Sequence, residues 1–240
     1  LRTSTCSPRH MTTTTADAPS RPRPPATPTP GAASTLKQRI GRWLGHRAAK
    51  PVVFVVAALP LAWLVFAAFA DRLGANPAEA LVRATGDWTL RLLCVVLTVT
   101  PLRTIAGWPA LARLRRMLGL WTFAYALLHM LAYSWFDMGL DVGDIARDIA
   151  KRPFILVGFT ALLLLLALAA TSFNRVIKAM GAKRWQALHR AVYAVAGLAL
   201  LHFFWMRAGK NNFAEVAVYA LIIALLLGWR LRRFLSKKRP

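Results

Sequence analysis

The sequence predicts an all-α integral membrane protein, a bundle of six transmembrane helices with both termini cytoplasmic. Three observations carry that expectation. The 240 residues are 57% hydrophobic with a mean hydropathy of +0.44, too apolar for an ordinary soluble domain. Six apolar segments recur, at roughly 52–70, 85–101, 117–136, 154–171, 188–206 and 214–230, most of them near the ~20 residues that cross a bilayer as helix. The formal net charge is +23, and it lies in short clusters between those segments. That is the pattern of membrane flanks. It argues against the other class so basic a chain suggests, a nucleic-acid binder.

In chain order, residues 1–36 are rich in Thr, Pro, Ser and Ala (MTTTTADAPSRPRPPATPTPGAAS). Such a composition does not bury enough apolar surface to order itself, so a disordered tail is expected. Met11 is a candidate start, and the tail has no apolar core of the kind an export signal carries. Residues 37–50 are basic and amphipathic, suited to lying on the membrane surface among lipid headgroups. Residues 51–231 form the expected transmembrane domain, and 232–240 a basic tail. The second apolar segment is the weakest. It carries Arg91 near one end and is expected to stop at Pro101, as the fourth is expected to start at Pro153, because proline is tolerated at helix termini.

Orientation follows from the basic residues. The N-terminal stretch has nine Lys and Arg, loops 102–116 and 172–187 have four each, and the C-terminal stretch from Arg230 on has six. Six spans put all of these on one side, with Arg190 just inside the fifth. The opposite side has eight, partly offset by acidic residues such as Asp87, Asp141, Asp144 and Asp148. The more basic side is the cytoplasmic one. Loops 71–84, 137–153 and 207–213 then face the periplasm of a bacterial inner membrane.

The two cysteines, Cys6 in the tail and Cys94 in an apolar segment, are not expected to pair. There is no CxxCH for a covalent haem and too few cysteines for an iron–sulfur cluster. Three histidines stand in apolar segments: His129, His189 and His202. Ionisable residues inside a membrane are costly and point to function. His129 lies twelve residues into the third segment, ~18 Å at the helical rise, and His202 fourteen into the fifth, ~21 Å. Two imidazoles at one depth suit the two axial positions of one haem iron held between helices. With both positions filled, the iron cycles between ferric and ferrous without taking a substrate. His189 lies thirteen residues before His202, ~20 Å away and ~140° around an ideal helix. No histidine stands opposite it, where Arg116 and Met117 occur. It is open to a second haem with an unusual partner, to a flavin or quinone, or to lipid phosphate. Arg91 either snorkels to water or pairs with a haem propionate. His10 and His46 lie in polar regions and read as solvated, and most tryptophans fall at helix ends as aromatic-belt anchors.

Four stretches carry a resemblance: TGDWTLRLLCVVLTVTPLR, LLHMLAYSWFD, KRPFILVGFTALLLLLALAATS and GAKRWQALHRAVYAVAGLALLHFFW. Together they resemble the MsrQ (formerly YedZ) family, haem-binding membrane subunits of a periplasmic protein-methionine-sulfoxide reductase system, within the wider ferric-reductase-like transmembrane group. The resemblance covers residues 50–230. Its most specific part is WQ-x-LHR-x-x-Y with a histidine thirteen residues after the first. It implies b-type haem, one or two per chain, with the family's three histidines at His129, His189 and His202. It implies FMN binding too, for which no motif is visible. It further implies electrons drawn from the quinone pool and passed to a periplasmic molybdopterin-containing catalytic subunit.

The residues agree with that role. No loop is long enough for a nucleotide-binding domain, so electrons must come from elsewhere. Sulfoxide reduction takes two electrons where a haem passes one, so the two-electron centre belongs in the partner. Loops 137–153 and 207–213 are the expected docking face, with Asp141, Asp144 and Asp148 as contacts. Two other readings stay open: a stand-alone ferric or quinone reductase, and a cofactor-free membrane anchor or transporter. The depth-matched histidines and the lack of a discontinuous helix pair count against the last.

Overall fold

Backbone polar groups in a bilayer have no water to bond, so long apolar runs close their hydrogen bonds internally, as helices. The computed structural model describes residues 32–209 and 213–236, and among these every regular element is helical. The elements are α1 (Ala32–Gly45), α2 (Ala49–Phe69), α3 (Pro77–Ala106), a short 3₁₀ turn (Pro109–Leu111), α4 (Ala112–Phe136), α5 (Val142–Lys151), α6 (Pro153–Ala170), α7 (Asn174–Met180), α8 (Ala182–His189), α9 (Val192–Ala208) and α10 (Ala214–Ser236). Six helical stretches are long and apolar enough to cross a membrane: α2, α3, α4 with its 3₁₀ turn, α6, α8 together with α9, and α10. The protein is therefore a multi-pass membrane protein, with six membrane-length helical stretches among the described residues. The expected tail lies outside the described residues up to residue 31. Helix α1 begins at Ala32, inside the stretch expected as tail, and α10 runs on to Ser236.

Several boundaries differ from those that hydropathy suggested. Helix α3 has 30 residues, ~45 Å at the helical rise, so its ends stand outside the ~30 Å apolar layer. It starts at Pro77, where the Asn76 side chain accepts the Glu79 N–H, and ends on Gly107 at a left-handed φ of 70°. Pro153 does open α6, but Pro101 does not end α3. A proline within a helix removes the donor for the carbonyl four residues back. That carbonyl is Leu97 O, and the Arg230 guanidinium of α10 donates to it at 2.6 Å. At Pro60 within α2 another helix intervenes one residue further along. The Tyr125 hydroxyl of α4 accepts from Leu61 N–H and donates to Ala57 C=O, both at 2.9 Å, standing inside the ladder beside the proline.

The expected continuous helix from His189 to His202 is broken. Residues 190–191 form a turn, with Arg190 N–H and Ala191 N–H bonded three residues back to Ala187 and Leu188. The ideal-helix angle between the two histidines therefore does not apply. Two apolar clusters fill the interior. One gathers Leu93, Leu97, Leu165, Val195 and Ile223 from α3, α6, α9 and α10. The other joins α1, α3 and α4 through Leu44, Val96, Leu118 and Tyr125. The most extensive helix contacts are α3 with α4 and α6 with α9.

Candidate functional site

Helix α4 carries His129 and α9 carries His202, each from the tightest helix pairs of the bundle. The two pairs bring the rings close together, one edge-on to the other. Their centroids are 6.2 Å apart and their planes cross at 77°. Two imidazoles on opposite sides of one metal, each ~2.0–2.1 Å from it, put their centroids about 6 Å apart, so the spacing suits one shared ion.

The outer nitrogens are already committed. His129 Nδ1 lies 2.8 Å from the Val82 carbonyl of α3, and His202 Nδ1 lies 2.7 Å from the Phe154 carbonyl of α6. A carbonyl only accepts, so Nδ1 carries the proton in both rings and Nε2 keeps its lone pair. This is the tautomer that ligates metal, held by the outer hydrogen bond that metal-bound histidines commonly make. Among the described residues no group of three or more His, Cys, Asp or Glu side chains could hold a metal. A two-nitrogen donor set fits an iron whose remaining ligands come from a macrocycle. The residues present thus fit a haem held from both faces.

His189 stands elsewhere. It closes α8, stacks on Trp185 at 3.9 Å between ring centroids, and lines a cavity of about 600 Å³. Its Nδ1 lies 3.1 Å from Trp185 O and its Nε2 3.4 Å from Ser172 Oγ. The cavity wall carries six cationic side chains, Arg103, Arg115, Arg116, Lys183, Arg190 and Arg230, and no carboxylate among the residues that line it. Leu93, Thr122 and Leu165 also line it. They lie seven residues from Gly86, His129 and Gly158, or ~10 Å along their helices. The cavity and the histidine pair therefore stack along the bundle.

Arg91 is exposed on the surface of the bundle and makes two contacts there. Its guanidinium lies over the Trp88 ring at 4.8 Å and its Nε donates to Tyr219 Oη at 3.3 Å. One turn before it on α3 is Asp87, 4.0 Å from Arg207, which also pairs with Glu215. Arg207 had counted only as a loop charge in the sequence. Arg115 and Arg230 had counted only as orientation charges. What marked Arg230 was an interior proline that needed a donor from another helix. Of the expected docking residues, Asp141 caps α5 by accepting Asp144 N–H at 2.8 Å, and Asp148 accepts from Tyr133 Oη at 2.6 Å and pairs with Arg152 at 2.9 Å. Asp144 is exposed and pairs with Arg147. Loop 207–213 lies partly outside the described residues.

Residues 85–200 match the family described as "Ferric reductase like transmembrane component". The chain is 71% identical over 198 residues to "Protein-methionine-sulfoxide reductase heme-binding subunit MsrQ" of Polaromonas naphthalenivorans (strain CJ2), a match that covers 82% of this chain and 90% of the relative. It is 50% identical to the protein of the same name from Herminiimonas arsenicoxydans, over 74% of this chain and 82% of that one. Against the one from Xanthomonas campestris pv. campestris (strain B100) the figures are 44%, 80% and 89%. No solved structure matches. With its six spans and matched length, the chain belongs to the MsrQ family of protein-methionine-sulfoxide reductase heme-binding subunits.

Proposed function

We propose that this protein is the haem b electron-transfer subunit of a bacterial inner membrane, passing electrons from the quinone pool to a periplasmic molybdopterin-containing methionine-sulfoxide reductase that repairs oxidised periplasmic proteins. The observation that carries the reading is the facing pair His129 and His202, with both Nδ1 atoms bonded to carbonyls. A bound haem supplies one-electron chemistry there. His129 and His202 would hold it through Nε2. Val82 and Phe154 fix their tautomer, and the surrounding apolar helices exclude water. Arg91, midway along α3 and one turn from Asp87, would serve as a partner for a propionate.

The cavity at His189 is the place for a second cofactor. Six cations without a carboxylate are suited to an anionic one, either a second haem with His189 as a ligand or FMN with its phosphate among the arginines. Both termini and this cavity would face the cytoplasm, and α5 the periplasmic partner. Electrons would then enter near the cavity and leave near the histidine pair.

A reduced-minus-oxidised visible spectrum of the purified protein tests the assignment, with haem and FMN quantified per chain. The wild type is expected to show a b-type spectrum that is lost in His129→Ala and in His202→Ala. Partial loss in His189→Ala, from two haems to one, assigns the cavity to haem. Unchanged haem with lost FMN assigns it to flavin. A colourless wild type expressed with ample haem would sink the reading.

A further inference from the structure

We infer that Gly86 and Gly158 are positioning residues for the two facing histidines, each uncovering the backbone carbonyl to which an imidazole donates. The inference rests on the haem reading above. On a helix, residue i+4 lies over residue i on the same face. Gly86 is four residues after Val82, and Gly158 four after Phe154, the two carbonyls that receive Nδ1–H.

The contacts are close. A Cβ added at Gly86 would lie 3.1 Å from both Cε1 and Nδ1 of His129. One added at Gly158 would lie 2.8 Å from Nδ1 and 2.9 Å from Cε1 of His202. The ring occupies the place a side chain would take. Neither glycine has a positive φ and both stand inside their helices, where glycine is destabilising relative to alanine. Backbone conformation therefore does not account for them, and the imidazole contact does. The construction occurs twice. An acceptor carbonyl is followed four residues on by glycine, and the histidine comes from the span packed against it, 47 residues after the first carbonyl and 48 after the second.

Two properties depend on this. The Nδ1–H···O=C bond raises the basicity of Nε2 and so favours the ferric iron. The anchored rings also keep their planes crossed at 77°. A methyl group at either glycine pushes the ring off its carbonyl, weakening the bond and turning the plane. The test uses the full-length holoprotein, comparing wild type, Gly86→Ala, Gly158→Ala and, as a control, Gly228→Ala on α10, where an added Cβ meets nothing within 4 Å. Haem per chain, the midpoint potential and the low-temperature ferric EPR spectrum are measured.

The expected result is an upward shift in potential in both histidine-facing variants, larger for Gly158→Ala because its contact is tighter. Their EPR signal should move away from the strongly anisotropic form of crossed axial imidazoles. Gly228→Ala should match the wild type. If Gly158→Ala loses its haem, the milder Gly86→Ala decides. Variants that keep their haem with wild-type potential and EPR spectrum overturn the inference and leave the haem reading intact. Retention of haem by His129→Ala and His202→Ala would instead overturn the haem reading.

Discussion

Arg230 is the residue whose role is hardest to guess from its neighbours. A buried carbonyl without a donor costs about 1–3 kcal/mol. Pro101 creates such a carbonyl at Leu97, and Arg230 donates to it from α10 while its guanidinium lies 5.0 Å from the Tyr193 ring. Arg230→Leu should therefore lower stability by about 1–3 kcal/mol, read as thermal unfolding of the detergent-solubilised protein. The double variant with Pro101→Ala should recover most of that loss, because alanine at 101 restores the N–H that Leu97 lacks. Equal destabilisation in the single and double variants would show that the arginine acts elsewhere. The same scale shows what could be read early. The matched depth of His129 and His202 followed from the helical rise alone, which holds along α4 and along α9 beyond the turn at 190–191, so the break shifts the depth of His202 little. The positions of Arg230 and Tyr125 depend on which helix packs beside each proline, and no local rule states that.

At the scale of elements, hydropathy located the middles of the spans and missed their ends. Helix α3 extends to Pro77 because Asn76 and Pro77 make a start signal, and through Pro101 because another helix supplies a donor. Helix α5 was expected as loop. It was legible all the same: Val142, Ile145 and Ile149 recur at helical spacing, and Asp141 stands at its N-cap. A search for membrane-length apolar runs passes over ten amphipathic residues. The structure also divides the acidic residues expected to dock a partner. Asp141 and Asp148 hold α5 in place, through the cap and through Tyr133 and Arg152. Asp148→Ala should therefore loosen α5 against α4, seen as faster amide exchange across 142–151, without loss of haem. Asp144→Lys should leave that exchange unchanged and slow electron delivery to the partner. If Asp144→Lys delivers electrons at the wild-type rate, α5 is not the docking element.

At the scale of the molecule, the two ends of the bundle differ in charge and in form. One end joins α1, the 3₁₀ turn and α7. Trp108 Nε1 donates to Lys37 O, Arg113 donates to Leu44 O and Gly45 O, and Arg116 donates to the Asn174 side chain. The cationic cavity lies toward this end, its cations supplied by α3, α4, α8, the turn at Arg190 and α10. The other end carries α5 and the Asp87–Arg207–Glu215 cluster, where charges of both signs pair. The proposed orientation follows the general rule that the more basic end of a bundle stays in the cytoplasm. The orientation decides whether the histidine pair lies nearer a periplasmic partner or a cytoplasmic one, so it decides the proposed direction of electron flow. Single cysteines at Asp144 on α5 and Lys178 on α7 test it, in a background with Cys6 and Cys94 replaced. Cys94 is buried among core side chains, so its replacement removes no surface group. An impermeant thiol reagent added to intact spheroplasts should label the cysteine at 144 and spare the one at 178, which reacts only after lysis. The reverse pattern would put the cavity outside and the pair near the cytoplasm. It would leave the haem ligands as they are and remove the periplasmic reductase as the acceptor.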